Sequence, residues 1–298
     1  MNILIAGASG FVGQNLSTHL KAKGNSIFTL TRNKEKTNSQ TFHWQPSENK
    51  LDEDCLKNID IVINLAGEGI ASKYWTEKQK KEILNSRVQS TKCLVEAIKK
   101  TSTQPRLFIN ASATGIYKGS EAELLNENSD FDNDFLATVC KAWEEEASEI
   151  SKLNIRTVYA RFGIIFGKDG GILKKMLLPF KLCLGGKLGN GKQFMSWISI
   201  NDAVRAIDFI IENENIAGPV NLTSPHPITN ENFTKTLATS IKRPAFLHVP
   251  QNILKYALGE MADELLLKSA PVIPQVLLDN NFEFKHECLR GFLDAELA

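Results

Sequence analysis

Three glycines near the start of the chain, Gly7, Gly10 and Gly13, are spaced three residues apart in the segment AGASGFVGQNL. The segment follows an apolar run and opens an amphipathic stretch, as a strand-to-helix turn does. There Gly7 can make the tight turn, Gly10 can let backbone approach a pyrophosphate, and Gly13 can let helix and strand pack closely. Glycine is also common at turns that bind nothing, but this context favours phosphate binding at the helix N-terminus. The residues of this segment that are predicted to form the cofactor site are Gly7, Ser9, Gly10, Phe11, Val12 and Gly13.

A basic residue, Arg32, ends the second apolar run in the segment SIFTLTRNK, where the turn contains no acid. A site for NAD usually has Asp or Glu at this place to accept hydrogen bonds from the adenosine ribose, whereas the 2′-phosphate of NADP favours arginine. The sequence therefore predicts NADP as the cofactor, with NAD as the less favoured alternative. Two other interpretations of Arg32 stay open: an ordinary surface charge, or a guanidinium that stacks on the adenine without selecting the phosphate.

The elements that must position these residues alternate between strand and helix patterns. Mainly apolar segments at residues 2–6, 59–67 and 106–112 indicate strands of a sheet that is covered on both faces. The longest helical pattern, residues 76–100, places apolar residues on one stripe at spacings of three and four. This alternation predicts the α/β class, with a doubly wound parallel sheet of the Rossmann type over residues 1–165.

The composition changes after residue 165, where Gly and Pro become more frequent and short extended pieces interrupt the helical patterns. Residues 166–298 are therefore predicted to form a smaller C-terminal lobe that roofs a substrate cleft. No Ser/Gly-rich linker separates the halves, so we expect this lobe to pack on the first domain and to be partly interleaved with it. The glycine-rich segment LGGKLGNGKQF could line the cleft or form a mobile surface loop.

Composition and charge argue against several classes of function. Lys and Arg are interspersed with Asp and Glu and the net charge is only +1, so we expect no nucleic-acid or membrane-surface partner. No run reaches the roughly eighteen apolar residues of a membrane span, and the N-terminal run is too short for a secretion signal. A cytoplasmic location is therefore expected.

The five cysteines lack a C-x-x-C pair and are interpreted as reduced, and the five histidines show no metal-ligand spacing. The expected partner is a small-molecule substrate, for a monomer or homodimer.

Three segments together resemble a known superfamily: GASGFVG at the first turn, NLAG at residues 64–67 and NASATGIYKG at residues 110–119. They are similar to the extended short-chain dehydrogenase/reductases, the group of nucleotide-sugar epimerases and dehydratases. KAWEEEA and GPVNLTSP are similar to an atypical epimerase-like branch with a small C-terminal domain of unassigned role, and the resemblance covers nearly the whole chain. It implies that the NLAG loop passes beside the adenine and ribose. The cofactor contacts that it implies are Leu65, Ala66, Gly67, Glu82, Arg87 and Ile165.

Two of these implied contacts, Glu82 and Arg87, lie on the long helical pattern and would by themselves be interpreted as solvated charges. Ile165 is implied as a backbone contact near the nicotinamide. The resemblance also implies a catalytic set, in which a Ser or Thr orients the substrate hydroxyl and a Tyr acts as general base. A Lys four residues after the Tyr lowers the pKa of the phenol, which is otherwise near 10. Ser112 stands at the orienting position, with Thr114 nearby.

The Tyr-x-x-x-Lys pair is absent from the place where it is expected, the segment DFLATVCKAWEEEA. Aligning Glu145 with the acid that usually follows the motif puts Lys141 at the Lys position and Ala137 at the Tyr position. Shifting by one residue puts Cys140 and Leu136 there instead. Neither register supplies a tyrosine, as the resemblance to the atypical branch leads one to expect.

Tyr117 is the nearest replacement for the missing base, and a packed aromatic beside the loop is the alternative interpretation. Two functions therefore stay open. The first is an NADP-binding, epimerase-like oxidoreductase acting on a small polar substrate, for which sugar-like molecules are candidates. In it Ser112 orients the substrate, and Tyr117 or a bound water handles the proton. The second is a catalytically degenerate NADP-binding protein with a regulatory or redox-sensing role, a class in which some relatives carry a label as cell-division inhibitors.

Overall fold

The structure, a computed structural model, describes residues 1–297. The chain folds into two compact units that are each assembled from separate stretches. The first unit contains Met1–Ser112, Val139–Arg161 and Ile207–Val220, and the second contains Ala113–Thr138, Phe162–Ala206 and the chain from Asn221 onward. The sequence predicts a boundary after residue 165, with the C-terminal lobe partly interleaved with the first domain. In the structure Ile207–Val220 adds half a helix and the start of a strand to the first unit.

The secondary structure alternates between strands and helices along the chain. The strands are β1 (Asn2–Ala6), β2 (Ser26–Thr31), β3 (Thr41–Gln45), β4 (Lys50–Leu51), β5 (Ile61–Asn64), β6 (Leu107–Ala113), β7 (Arg156–Phe162), β8 (Ile164–Gly167), β9 (Gly186–Leu188), β10 (Phe194–Met195), β11 (Trp197–Ser199), β12 (Gly218–Leu222), β13 (Ile228–Thr229) and β14 (Leu247–Val249). The helices are α1 (Phe11–Ala22), α2 (Glu77–Lys100), α3 (Phe135–Ser148), α4 (Gly171–Lys181), α5 (Ile200–Glu212), α6 (Asn230–Ser240), α7 (Gln251–Leu258), α8 (Glu260–Ala262), α9 (Gln275–Asp279) and α10 (Leu289–Leu297). Within residues 1–297, no helix combines the length and the apolar character needed to cross a bilayer.

The first unit is built on an eight-stranded sheet with the strand order β12-β7-β6-β5-β1-β2-β3-β4. β1 pairs in parallel with β2 and β5, and β5 pairs in parallel with β6. The short β4 pairs antiparallel with β3 at one edge. Successive strands lead away from β1 in both directions, so the strand order reverses between β1 and β5. In such sheets ligands bind outside the carboxyl ends of the strands at this reversal.

Helices cover both faces of this sheet. Leu4 of β1 belongs to a buried apolar cluster with Leu94 and Ile98 of α2. Side chains alternate between faces along a strand, so Ile5 points to the opposite face. There α1 packs on β1 and β2 through the fully buried Leu16. The α/β class and the doubly wound sheet that the sequence predicts are confirmed.

The second unit has an apolar core of its own, with Phe166 of β8 at its centre. The Phe166 ring lies 5.7 Å from the Trp197 ring and 5.3 Å from the Phe233 ring, measured between centroids. Within this unit β8 pairs in parallel with β11, β9 in parallel with β14, and β10 antiparallel with β13. The apolar side chains of α4, α6 and α10 close the core around these aromatic rings.

A buried polar cluster in the second unit fixes the start of α5. The Ser199 hydroxyl accepts the amide hydrogen of Asp202 at 3.0 Å and so caps the helix. The Asp202 carboxylate accepts the amide hydrogens of Lys285 at 2.9 Å and of His286 at 2.8 Å. Nδ1 of His286 lies 3.0 Å from the Ser199 hydroxyl. Burial lowers the pKa of His286 below its ordinary value, although the Asp202 carboxylate opposes this shift.

Candidate functional site

The turn after β1 requires glycine at two positions, for two different reasons. Gly7 has a φ of +80°, and a Cβ on it would lie 2.7 Å from the backbone carbon of Leu65. A Cβ on Gly13 would lie only 2.4 Å from the carbonyl oxygen of Gly7. Gly7 must therefore be glycine because of its positive φ and because the loop after β5 approaches it closely. Gly13 must be glycine because α1 approaches the turn closely.

The first turn of α1 is open to a ligand. Gly10 precedes the helix without any side-chain cap, and the first turn contains no acid. Ser9 and Gly10 are exposed, and Phe11 and Val12 are half-buried. A helix N-terminus presents amide donors and a partial positive charge, so the geometry of this turn suits the pyrophosphate of a dinucleotide. A cradle that a Cβ would fill and a helix start without a cap are the two observations that support this fit.

Arg32 directly follows β2 and is exposed. Because β2 lies beside β1 in the parallel sheet, Arg32 is at the same edge as the glycine turn. The chain after it is held by local bonds, in which Thr31 Oγ1 accepts the amide hydrogen of Asn33 at 3.2 Å and Asn33 Oδ1 accepts that of Glu35 at 2.9 Å. Arg32 is therefore an exposed cation on a hydrogen-bonded turn, and its contact with a 2′-phosphate stays a prediction.

The loop after β5 is clamped by a buried polar network. Nδ2 of Asn64 donates to the Thr91 hydroxyl at 2.9 Å and to Oδ1 of Asn110 at 2.8 Å, and all three residues are fully buried. Oδ1 of Asn64 in turn accepts the amide hydrogen of Ala66 at 3.2 Å. The network ties the carboxyl end of β5 and the middle of β6 to α2. The structure brings the predicted residues Leu65 and Ala66 close to Gly7.

Arg87 packs on the same loop instead of lying in solvent. Its Nη1 donates to the backbone oxygen of Glu68 at 2.9 Å, and its guanidinium lies 5.0 Å from the centre of the Trp143 ring. A Cβ on Gly67 would lie 3.2 Å from the Arg87 side chain, so the loop and the arginine fit closely. Burial lowers the pKa of Arg87, although it remains a cation. Arg87 therefore positions residues 67 and 68 of the loop.

Glu82 is exposed on the first part of α2 and lines a cavity of about 480 Å³. Glu68, Tyr74 and Gln79 are among the other residues that line this cavity. Gln79 is buried, and its amide nitrogen has no hydrogen-bond partner within residues 1–297. Gln79, whose buried amide nitrogen is unpaired within residues 1–297, therefore lines the same cavity as the predicted contact Glu82.

Ser112 lies near the carboxyl end of β6 and is bonded to a buried ion pair. Its hydroxyl donates to Oε1 of Glu144 at 2.6 Å. Arg161 donates from Nε to Oε1 and from Nη2 to Oε2 of Glu144, each at 2.8 Å. The side chain of Arg161 is 3% exposed and that of Glu144 is 11% exposed. The sequence analysis did not single out Glu144 or Arg161.

Tyr117 and Ile165 belong to the second unit, whereas the site residues described so far belong to the first. The Tyr117 side chain is fully buried, and its hydroxyl donates to Oδ1 of Asn221 at 2.6 Å. This environment favours the packed-aromatic interpretation, and a catalytic role for Tyr117 stays a prediction. Ile165 is half-buried on β8 and pairs with Ile198 of β11. No group of three or more His, Cys, Asp or Glu residues within the described chain is arranged to hold a metal ion.

Comparison with known proteins assigns the two parts of the chain to two families. Residues 3–222 match the model of the NAD dependent epimerase/dehydratase family, and residues 249–296 match a domain of unknown function, DUF1731. The epimerase family protein YfhF of Bacillus subtilis is 39% identical over 301 residues, which cover 100% of this chain and 98% of that protein.

Two solved structures are similar over the whole chain. The human epimerase family protein SDR39U1, determined with NADPH, superposes with a TM-score of 0.89 at 29% identity and covers 99% of both chains. A nucleoside-diphosphate sugar epimerase from Corynebacterium glutamicum superposes with a TM-score of 0.81 at 28% identity. That match covers 100% of this chain and 58% of the other.

Proposed function

Because the chain belongs to the NAD-dependent epimerase/dehydratase family, we propose that it is an NADP(H)-dependent oxidoreductase or epimerase of a small polar, sugar-like substrate. The observation that carries this proposal is the open first turn of α1, which presents amide donors at the reversal of the strand order. No acid in that turn repels a pyrophosphate. The solved structure of the human relative, which holds NADPH, supports the choice of cofactor.

In this proposal each part of the cofactor has residues to hold it. The glycine turn and the first turn of α1 bind the pyrophosphate, Arg32 pairs with the 2′-phosphate, and residues 65–67 lie beside the adenine and ribose. The nicotinamide, when bound, supplies the site that accepts or returns a hydride. Ser112 stands near the carboxyl end of β6 in the same unit and orients the substrate hydroxyl. The substrate class is supported by the similarity to a nucleoside-diphosphate sugar epimerase.

The proposal is tested with purified protein in both directions, NADPH with a panel of carbonyl compounds that includes keto-sugars and NADP⁺ with a panel of alcohols that includes sugars. Oxidation or reduction of the cofactor is followed by its absorbance, and Ser112→Ala serves as the control variant. We expect turnover that is strongly slowed in Ser112→Ala while NADPH binding is kept. An epimerase retains its cofactor and returns the hydride, so product analysis by sugar chromatography separates the two reaction types. Failure of the protein to bind NADPH or NADP⁺ at micromolar concentrations would contradict the proposal.

A second candidate is a cofactor-binding regulatory or redox-sensing protein. The observation that favours it is the composition of α3, where both possible registers of the Tyr-x-x-x-Lys motif lack a tyrosine. The burial of the Tyr117 hydroxyl against Asn221 points in the same direction. Tight binding of NADPH without turnover across the carbonyl panel supports this candidate over the enzyme.

A further inference from the structure

We propose that Glu144, held by Arg161, makes Ser112 a hydrogen-bond acceptor, so that the group bound by Ser112 is a hydroxyl rather than a bare carbonyl oxygen. Glu144 is in this view a positioning residue that acts through Ser112. The inference deepens the proposed function and rests on it, because it names the chemical form in which the substrate meets the site.

The first step is the geometry of the carboxylate. Oε1 of Glu144 accepts from the Ser112 hydroxyl at 2.6 Å and from Nε of Arg161 at 2.8 Å, and Oε2 accepts from Nη2 of Arg161 at 2.8 Å. A guanidinium and a carboxylate that meet at two points have a fixed relative orientation. Three hydrogen bonds therefore hold the Glu144 carboxyl group in one position.

The second step concerns the direction of the hydrogen bond. Arginine is always protonated in proteins, and a carboxylate paired with it is acceptor-only. The short contact between Ser112 and Glu144 must therefore use the proton of the serine. A serine hydroxyl has one proton and two acceptor lone pairs. Once its proton is donated to Glu144, Ser112 can only accept a hydrogen bond from a third group.

The third step is the cost of changing this arrangement. Ser112 and Arg161 are almost fully buried. Turning the serine proton away from Glu144 would remove a charge-assisted hydrogen bond, the stronger kind of hydrogen bond in proteins. The serine is therefore held in the accepting orientation before a ligand arrives.

The consequence is a preference for the form of the substrate. An alcohol can donate its hydroxyl hydrogen to Oγ of Ser112, whereas a carbonyl oxygen has no hydrogen to donate and faces a lone pair. We therefore expect the site to bind a molecule with a free secondary hydroxyl, such as a sugar or another polyol.

The first test needs no ligand and uses Ser112→Cys as a probe of the carboxylate. A thiolate beside a negative carboxylate is disfavoured, so the thiol at position 112 should titrate at higher pH than it does in Ser112→Cys/Glu144→Gln. At a pH where the thiol is mostly protonated, we expect the double variant to have about tenfold more thiolate by far-ultraviolet absorbance. The five native cysteines are subtracted with the wild type and Glu144→Gln, which lack the thiol at position 112. Equal titration in the two proteins overturns the proposal.

The matched control is Ser112→Cys/Glu145→Gln, since Glu145 is the next residue of α3 and is exposed. It should titrate like Ser112→Cys alone. If Glu144→Gln leaves Arg161 without its counter-charge and the protein does not fold, Glu144→Gln/Arg161→Met removes both charges together. In that background the thiol at position 112 has neither charge beside it, so its titration should still shift downward from that of Ser112→Cys, but by less than in Ser112→Cys/Glu144→Gln.

The second test uses the substrate that the carbonyl and alcohol panel identifies. If Glu144 acts only through Ser112, Ser112→Ala/Glu144→Gln should be no slower than Ser112→Ala alone, and both should bind NADPH like the wild type. Losses in kcat that multiply in the double variant would show a separate role for Glu144 and contradict the inference. If the wild type turns over no compound, the proposed function fails, while the thiol titration still decides how Ser112 is bonded.

Discussion

Substitutions of Gly10 and Gly13 in the first turn should have different effects, because the structure gives these two glycines different surroundings. A methyl group on Gly13 would lie 2.4 Å from the carbonyl oxygen of Gly7 and 2.7 Å from Cα of Ala8. Ordinary contacts are about 3.5 Å, so the turn must move by about 1 Å to accept it. Such overpacking costs roughly 1–3 kcal/mol. Gly13→Ala should therefore lower the Tm by several degrees, since each kcal/mol corresponds to roughly 2–4 °C.

Gly10→Ala should leave the stability of the fold nearly unchanged and should weaken NADPH binding. Gly10 has a φ of −75°, which any residue adopts, and its Cβ would meet only the Gly7 carbonyl oxygen at 3.3 Å. The folded state then loses less than about 1 kcal/mol, mostly from the change of cap residue. The methyl group would occupy the space where backbone approaches a pyrophosphate. Loss of one charge-assisted hydrogen bond, about 1.5–3 kcal/mol, weakens NADPH binding by at least about tenfold.

The two variants are measured together by thermal unfolding and by fluorescence titration with NADPH. The expected pattern is a folded Gly10→Ala protein with a raised Kd, and a Gly13→Ala protein with a lowered Tm. If Gly10→Ala binds NADPH like the wild type, the first turn of α1 is not the pyrophosphate site. If Gly13→Ala unfolds at the wild-type temperature, the close approach of helix and turn does not constrain this position.

Three further predictions concern a charge, a helix cap and a buried histidine. Arg32→Ala should weaken NADPH binding by at least about tenfold while leaving NADH binding unchanged, as measured by titration with each cofactor, because only NADPH carries the 2′-phosphate. Thr76→Ala should lower the free energy of unfolding by about 1 kcal/mol in urea, because the Thr76 hydroxyl caps α2 by accepting the amide hydrogen of Gln79 at 3.2 Å. The wild type should lose stability as the pH falls below about 6.5, and His286→Asn should lose less. The folded state holds His286 neutral with a lowered pKa, so the unfolded state binds the proton first and acid favours unfolding.

Each of these has a control and an outcome that contradicts it. Equal loss of NADPH and NADH affinity in Arg32→Ala would mean that the guanidinium stacks on adenine and does not select the phosphate. Thr76→Ser keeps the capping oxygen and should retain wild-type stability, so an equal loss in both variants would rule out the cap. For His286, the same slope of unfolding free energy against pH in wild type and His286→Asn would assign the acid sensitivity to other groups.

The strands of the sheet follow from the sequence because their determinants are local. Apolar runs correspond to β1, β5 and β6 within a few residues, and the helical pattern over residues 76–100 corresponds to α2 with Thr76 as its cap. The segment IRTVYARFGIIFG predicts one strand over residues 155–167, whereas the structure divides it into β7 and β8. Between them the amide of Gly163 donates to the backbone oxygen of Leu222 at 3.1 Å. That partner is about sixty residues away in the chain, so no local sequence pattern indicates where the strand is divided.

The start of α3 shows the same limit. The segment AWEEEASEISKL predicts a helix that begins near residue 142, whereas the helix begins at Phe135. Asp134 caps it by accepting the amide hydrogen of Ala137 at 2.8 Å, which the sequence could have indicated. The carboxylate of Glu264 accepts the amide hydrogens of Phe135 at 3.2 Å and of Leu136 at 2.8 Å. This long-range carboxylate replaces the local signals that a helix start of this kind would otherwise need.

The acidic run on α3 is where sequence reasoning about the site was incomplete. Glu144 lies four residues after the buried Cys140 and three before the buried Ala147, so helical spacing places it on the apolar stripe. Glu145 is exposed. An acid on an apolar stripe needs a buried partner, and Arg161 of β7 supplies it. The acid that follows the missing motif is then Glu144, which favours the register with Leu136 and Cys140 at the Tyr and Lys positions. In that register Lys141 is not the lysine of the motif. Of the two predicted catalytic residues, Ser112 lies in the first unit, where its hydroxyl is bonded to the buried ion pair.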